Sequence, residues 1–296
     1  MSGILDCIVV GGGPGGLTAA TYLARYRRGV RIFDTGCTRA GWIPKSRNCP
    51  GFPQGVGGEE LLQRMRDQAR KFGVETVSEE VTALHREAEW FLIRHGDSEL
   101  RARHVILATG CEDVTPDLDG LADAIECGAV RMCPICDAFE AIDTTIAVHG
   151  PADKAASHAR FLRTYSANVA LVPSTAETDD ALRAELEGDG IELTPVPASL
   201  LFDGKRCVFE LDGTPRAFDV VYPMLGLISR SSLAVGAGAE CDEEGALIVD
   251  AHQMTSVDGL YAIGDVVSAL NQISVATGHA AIAATDVHNR LGANFA

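Results

Sequence analysis

The chain has 296 residues, 25 basic and 41 acidic, with a formal net charge of −16. At 46% hydrophobic and 22% charged it is neither disordered nor fibrous, and its acidity excludes an electrostatic grip on nucleic acid or an anionic membrane. Thirty-one glycines, against a usual share of ~7%, predict many tight turns.

The segment Met1 to Asp6 has no basic n-region and its apolar run stops at a glycine cluster, so no signal peptide is expected. Ile4 to Val10 has strand length, Leu17 to Arg28 reads as a helix, and Val30 to Phe33 as a second strand ending in Asp34. Between the first strand and the helix stands Gly11-Gly12-Gly13-Pro14-Gly15-Gly16. Strand, G-x-G-x-x-G, helix, strand and acid are the parts of a dinucleotide-binding βαβ unit. Gly11 permits the tight turn, Gly13 lets backbone approach a pyrophosphate, and Gly16 allows close packing of helix on strand. The helix N-terminus offers N–H groups and a positive dipole end to phosphates. Asp34 can accept hydrogen bonds from a ribose.

Glu59 to Phe72 is an amphipathic helix closed by Gly73. Strands are expected around 77–84, 90–95 and 99–103, and then in the apolar run from His104, which enters the small-residue turn Ala108-Thr109-Gly110. A second βαβ pattern follows: a strand at 145–148, a helix at 152–165 and a strand at 168–172. Near the C-terminus Gly259 to Asp265 repeats the strand-to-turn character, and a helix is expected from about Gly278 to Leu291. The stretch Val266 to Thr285 lacks Asp, Glu, Lys and Arg for 20 residues, but Ser268, Asn271, Gln272 and His279 make it too polar to span a membrane. The fold expected is α/β: two doubly wound Rossmann-like domains, the second inserted into the first. Nine cysteines are odd in number and too dilute for a secreted disulfide scaffold, which points to a reducing, cytoplasmic setting.

With these motifs in this order, the chain resembles the low-molecular-weight thioredoxin reductase family of FAD-dependent pyridine nucleotide–disulfide oxidoreductases. The resemblance rests on Gly11 to Gly16, Asn48-Cys49-Pro50-Gly51-Phe52-Pro53, Ala108-Thr109-Gly110, Cys133-Pro134-Ile135-Cys136-Asp137, and Thr255 to Asp265. It implies an FAD domain at 1–113 and 241–296 and an inserted NADPH-binding-like domain at 114–240. It further implies that Gly264 and Asp265 meet the pyrophosphate and ribityl chain. Asn48 and the Ala108-Thr109-Gly110 turn would line the FAD site, with Gln272, Ile273 and the following helix at the flavin's pyrimidine end. By the same resemblance the protein would be a homodimer.

The C-x-x-C at Cys133 and Cys136 carries the expected chemistry. Two cysteines at this spacing at a helix start fit a disulfide, and a helix dipole favours the reactive thiolate. Asp137 is a carboxylate placed to move a proton to or from a departing thiolate. The resemblance assigns Cys136 to the flavin side, Cys133 to the mixed disulfide with substrate, and Asp137 as acid/base. A zinc half-site or two inert buried thiols are the other readings; zinc would need about two further ligands, which the spacing of Cys127 and His149 does not offer. No metal is expected.

The inserted domain departs from the family. Laid on G-x-G-x-x-A, the loop from Gly150 to Ala155 has Ala152 as its second glycine, Asp153 beside the pyrophosphate position, and Pro151 in place of an N–H donor. The next strand ends in Pro173-Ser174-Thr175, without the arginines that would hold a 2′-phosphate, and Glu177 comes too late to suit a ribose. NADPH is therefore a doubtful cofactor, and the chain is expected to sit in a subgroup with a degenerate NADPH site. The expected function is a disulfide reductase that passes electrons between flavin, Cys133/Cys136 and a thioredoxin-like protein or small-molecule dithiol, without efficient NADPH use. Ferredoxin is one candidate reductant, with Arg25, Arg27, Arg28 and Arg31, or Lys45 and Arg47, as docking patches or merely solvated helix ends. An oxygen-using dithiol oxidase, an NADPH-dependent thioredoxin reductase and a non-enzymatic flavin redox sensor are the alternatives. His279 could stand by the flavin or cap its helix. Phe295, in the tail from Gly292 to Ala296, could cover a flavin face or end a frayed terminus.

Overall fold

In a computed structural model of the chain, the first apolar run forms strand β1 (Leu5–Val10) and helix α1 (Pro14–Arg25) follows at once. The structure describes residues 4–176, 179–267 and 270–295; Met1, Glu177, Ser268 and Ala296 lie outside them. Next come β2 (Val30–Phe33), α2 (Gly58–Lys71), β3 (Glu75–Val77), β4 (Val81–Arg86), β5 (Phe91–His95), β6 (Ser98–Leu107) and β7 (Cys111–Asp113). The middle of the chain holds α3 (Leu121–Glu126), α4 (Pro134–Asp137), β8 (Ile146–Gly150), α5 (Ala152–Leu162), β9 (Val169–Pro173), α6 (Asp180–Gly188) and β10 (Glu192–Leu193). Then follow β11 (Ser199–Phe202), β12 (Cys207–Leu211), β13 (Thr214–Phe218), β14 (Val220–Pro223), β15 (Leu227–Ser229), α7 (Ser232–Gly236), β16 (Leu260–Ala262) and α8 (Ile273–Arg290).

The chain divides into two compact units, Met1–Glu112 with Ile228–Ala296, and Asp113–Leu227. Residues 228–240 pack with the first unit, ahead of the return point expected at 240/241. The reason is apolar: Leu233, Ala234 and Ala239 join the cluster built on Leu84, Phe91 and Ile93. The two crossing segments, β7 and β15, pair with each other, and hydrogen bonds from Val114 N to Gly226 O and from Arg230 N to Gly110 O flank the pairing (both 3.0 Å).

In the first unit the sheet runs β3-β2-β1-β6-β5-β4, with β16 also on β6. The expected strand at 99–103 and the run from His104 are one strand, because β6 serves three neighbours, β1, β5 and β16. Its first half pairs antiparallel with β5 and its second half parallel with β16. The β1–β2 and β1–β6 pairs are parallel and in register at Val10↔Phe33 and Val10↔Leu107. The expected strand at 77–84 is broken into β3 and β4. The N-terminal helix starts three residues early because Pro14, lacking an N–H, suits a first helical position, and it ends at Arg25, two residues before Arg27 adopts φ 60°.

The second unit has a parallel sheet in the order β10-β9-β8-β14 and a separate antiparallel sheet β11-β12-β13. Clusters on either face bury Ile146, Val148 and Tyr222 on one side and Ala147, Val221 and Phe209 on the other, the alternation expected of covered strands.

The arginines read as candidate docking patches are largely engaged within the first unit. Arg25 lies over the Phe72 ring and Arg31 pairs with Glu75 at 2.6 Å. Arg28 is buried, and its guanidinium donates to His288 Nδ1 (3.0 Å), His288 O (3.1 Å) and Gly292 O (2.9 Å). Asn294 adds a bond to Tyr26 O at 2.9 Å, so the tail is pinned to the C-terminal end of α1, with the Phe295 side chain left 95% exposed. The 18 residues of α8 separate that end from Gln272 by about 27 Å at 1.5 Å per residue, so Phe295 does not cover a ligand at the Gln272 end of its own chain. Because Arg28 is a buried cation with three acceptors, Arg28→Ala should cost about 2–3 kcal/mol, measurable as a lower denaturation midpoint. An unchanged midpoint would show that the clamp carries no stability.

Candidate functional site

The dinucleotide loop of the first unit is built by close approach. A Cβ on Gly11 would lie 2.2 Å from Ala108 O, and Gly11 has φ 110°. A Cβ on Gly16 would lie 1.9 Å from Gly11 O. At Gly13 the nearest atom would be Thr38 Oγ1 at 3.3 Å, so the outer side of this residue is open for a ligand. No side chain caps α1, and Pro14 occupies its first turn, so the N–H groups of Gly15 and Gly16 face outward from an uncapped helix end. Asp34 sits at the end of β2, where its Oδ1 accepts from Gly36 N at 2.9 Å and its Oδ2 lies over Gly12. A Cβ on Gly12 would come within 2.0 Å of that oxygen, so Gly12 is also required, although the motif pattern does not mark it.

Two cross-links draw the other expected residues to this crevice. Arg39, in a 3-10 turn at Arg39–Trp42, pairs with Asp265 at 3.1 Å; both are half-buried. Asn48 Nδ2 donates to Gln272 Oε1 at 2.9 Å. Gly264, with φ 72°, begins the turn that carries Asp265 and lies against Ala276. Thr109 Oγ1 donates to Arg230 O at 2.7 Å, and Gly110 has φ 67°. No sequence spacing links Arg39 to Asp265, so only the fold brings the two together.

Helix α8 starts at Ile273 with Gln272 as its N-cap, not near Gly278. His279 therefore lies two turns inside and caps nothing. Gln272, Ala276 and His279 follow one another at helical spacing on one face. The Nδ1 of His279 is buried without a hydrogen-bond partner among the described residues, and burial lowers its pKa, leaving the ring neutral. The open loop glycine, the uncapped helix end and this orphaned nitrogen together fit a bound dinucleotide such as FAD.

The cysteine pair of the C-x-x-C stands in the second unit. Cys133 and Cys136 are joined by a disulfide with Cα atoms 5.3 Å apart. Cys133 is the N-cap of α4, Pro134 follows it, and Cys136 N donates to Cys133 O at 3.0 Å. Helix α4 is a single turn of four residues, so the dipole expected to favour a thiolate is short and weak. Ile135, Phe139 and Ile142 form an exposed apolar rim on the same segment.

Asp137 closes this segment. Its Oδ1 accepts from Tyr222 OH at 3.0 Å and its Oδ2 pairs with Arg131 Nη1 at 3.3 Å. Burial pushes the carboxyl pKa up, against the pull of Arg131 and the Tyr222 hydroxyl, so Asp137 holds its proton to a higher pH than a solvated aspartate. Neither Arg131 nor Tyr222 is marked by a motif. The other cysteines differ in setting: Cys7 and Cys207 are buried with pKa values pushed up, Cys207 to about 12, while burial also raises Cys49. Among the described residues no group of three potential ligands could hold a metal, and no helix is long and apolar enough to cross a membrane.

The second βαβ unit can be laid on the first by its close contacts. A Cβ on Gly150 would lie 2.2 Å from Met224 O, as one on Gly11 would from Ala108 O. Counting from these glycines, Ala152 stands where Gly13 stands, and Pro173, in register with Gly150, stands where Asp34 does. Ala152 is 1% exposed and its methyl belongs to the core. Ser174 N bonds Gly150 O at 3.0 Å. His149 Nδ1 donates to Val172 O at 2.9 Å, and burial lowers its pKa.

A family model for pyridine nucleotide-disulphide oxidoreductases matches residues 5–280. The chain is 30% identical to the thioredoxin reductase of Peptoclostridium acidaminophilum, over 100% of this chain and 99% of that one. Among solved structures, HlmI superposes with a TM-score of 0.90 at 28% identity, covering 98% of this chain and 93% of that one. The thioredoxin reductase of Streptococcus pyogenes gives a TM-score of 0.90 at 26% identity, covering 98% of both chains.

Proposed function

Because the chain belongs to the pyridine nucleotide-disulphide oxidoreductase family, we propose that it is a thioredoxin-reductase-like, FAD-dependent thiol–disulfide oxidoreductase that uses NADPH poorly. The Cys133–Cys136 disulfide, followed at once by an Asp137 carboxyl held by Tyr222 and Arg131, is the observation that carries this reading. Bound FAD would supply a two-electron carrier for the cysteine pair, held by the loop of Gly11, Gly13, Pro14 and Gly16, by Asp34, and by the Asn48, Ala108–Gly110, Gly264–Asp265, Gln272–Ile273 and His279 surroundings.

In the reducing direction the Cys133 thiolate attacks one sulfur of the substrate disulfide, and that bond breaks. The departing sulfur takes the proton of Asp137. The Asp137 carboxylate then takes the proton of Cys136, whose sulfur attacks Cys133, re-forms the disulfide and expels the second substrate sulfur. That sulfur is protonated by solvent, which had received the proton of Cys133. Two electrons and two protons reach the substrate, and Asp137 returns to its acid form. The exposed rim of Ile135, Phe139 and Ile142 suits an apolar contact with a thioredoxin-like protein or a small dithiol.

Poor NADPH use is supported by the second unit alone. Ala152 turns its methyl into the core, so the support comes from its neighbours: Pro151 removes an N–H donor from the loop, Asp153 adds a negative charge to the first turn of α5, and Pro173, in the place of the ribose-binding acid, offers the ribose no side-chain hydrogen bond. The engagement of Arg25, Arg28 and Arg31 within their own unit reduces the means of docking ferredoxin there. Anaerobic titration tests this reading: one equivalent of NADPH should leave the flavin absorbance unbleached while dithiothreitol bleaches it. Rapid bleaching by stoichiometric NADPH would restore an ordinary thioredoxin reductase. Fast peroxide formation in air with a small dithiol would identify an oxidase, and bleaching without turnover on any partner a sensor.

A further inference from the structure

We propose, resting on the function above, that Arg131 and Tyr222 are positioning residues that hold the Asp137 carboxyl in the orientation that exchange at Cys133 and Cys136 requires and keep its proton from being held too tightly to release.

The placement follows from strand alternation. Val130 forms a parallel bridge with Val221, with Val221 N donating to Ala129 O at 2.8 Å and Arg131 N donating to Val221 O at 2.9 Å. The side chains of Val130 and Val221 enter one core cluster of the second unit. The next residue on each strand must therefore emerge on the opposite face. Tyr222 does so, in the cluster that also holds Ala138 and Ala141 of the redox segment. Arg131 and Tyr222 are thus delivered as neighbours to the side on which Asp137 lies.

Each then takes one carboxyl oxygen. Tyr222 OH donates to Oδ1 at 3.0 Å, and Arg131 Nη1 meets Oδ2 at 3.3 Å. The same Nη1 reaches the backbone carbonyl of Asp137 at 3.4 Å, so main chain and side chain are held from one point. Arg131 Nε is anchored on Gly128 O at 3.2 Å, just beyond α3. Tyr222 is fully buried and its pKa is pushed far up, so it remains a donor across the working pH range.

The charged groups around Asp137 act in opposite senses. Arg131 and Tyr222 favour the carboxylate, while burial and the neighbouring Glu140 favour the acid. An acid whose proton serves a departing thiolate works below its pKa and fails above it. Removing Tyr222 OH or the Arg131 charge takes away support for the carboxylate, so that pKa must climb and the alkaline limb of the rate profile must move up. The shift should be about half a pH unit for Tyr222→Phe and about one for Arg131→Met, from a hydrogen bond or ion pair worth about 1 kcal/mol.

The experiment is the anaerobic pH dependence of holoprotein reduction by dithiothreitol, followed at the flavin absorbance. Asp137→Asn is expected to erase the alkaline limb, Tyr222→Phe and Arg131→Met to move it upward, and Arg131→Lys to bring it part of the way back. If Asp137→Asn leaves the limb in place, the proton role of Asp137 fails and the positioning role falls with it. If Asp137→Asn erases the limb but Tyr222→Phe leaves it where the wild type has it, the positioning role alone is overturned. Tyr222→Phe removes a single oxygen, so it decides the matter even where the Arg131 variants fold poorly.

Discussion

Gly16→Ala is expected to cost several kcal/mol and to yield a protein that no longer retains FAD. The added Cβ would stand 1.9 Å from Gly11 O and 3.2 Å from the Ala108 methyl. The first contact is with backbone, which cannot turn aside as a side chain can. Relief requires α1 to move off β1, and that motion displaces the uncapped N–H groups from the phosphates. Overpacking of a tight core costs about 1–3 kcal/mol where side chains can adjust, and a backbone clash leaves less room. Gly15→Ala is the control. Its Cβ would meet Ala276 O at 3.4 Å and Ile263 at 3.5 Å, ordinary contacts, so it should shift stability by under about 1 kcal/mol, helped by alanine's better helix propensity. Thermal unfolding and the flavin-to-protein absorbance ratio measure both. Equal behaviour of the two variants would remove close packing at Gly16 as the basis of the site.

Cys133→Ser and Cys136→Ser should each lower thiol–disulfide turnover by about a thousandfold or more, because a hydroxyl neither carries the exchange nor forms the disulfide. FAD content should stay unchanged, since the proposed FAD contacts all lie in the first unit. The two variants should also differ from each other. Under the assigned roles Cys136→Ser keeps the substrate-facing thiol and should trap a mixed disulfide on Cys133, detectable as an added mass that reductant removes. Cys133→Ser should trap none. A trapped adduct on the Cys133→Ser variant instead would exchange the two roles. Retention of full turnover by either would remove the pair from the chemistry.

Much of this architecture is legible in the sequence because it rests on local rules. The run from Leu5 to Phe33 announces a βαβ unit through period, glycine spacing and a terminal acid, and these are properties of adjacent residues. Boundaries were less legible where tertiary partners decide them. The two halves of β6 look like separate strands until β5 and β16 are seen to share it. Helix α8 begins at Ile273, ahead of the expected Gly278, because its first turn already buries Ala276 against Gly15 and Gly264, contacts that only the fold supplies. The partners of Asp137 illustrate the limit well. Arg131 lies six residues away in sequence and Tyr222 eighty-five, and only the bridge between Val130 and Val221 brings them to one carboxyl. Arg28 likewise reads as part of a surface patch until the tail arrives to cover it.

The pairing of β7 with β15 bears on how the chain can be taken apart. Both passages between the units run through one ribbon, so the cut ends left in the first unit by removing residues 113–227 would lie about one strand spacing apart, some 4.8 Å. A short glycine link could close such a gap without drawing on the surrounding fold, as insertions between neighbouring strands are generally tolerated. The second unit is in this sense a cassette: it enters and leaves through one door, and its sequence can diverge without disturbing the sheet into which it is set.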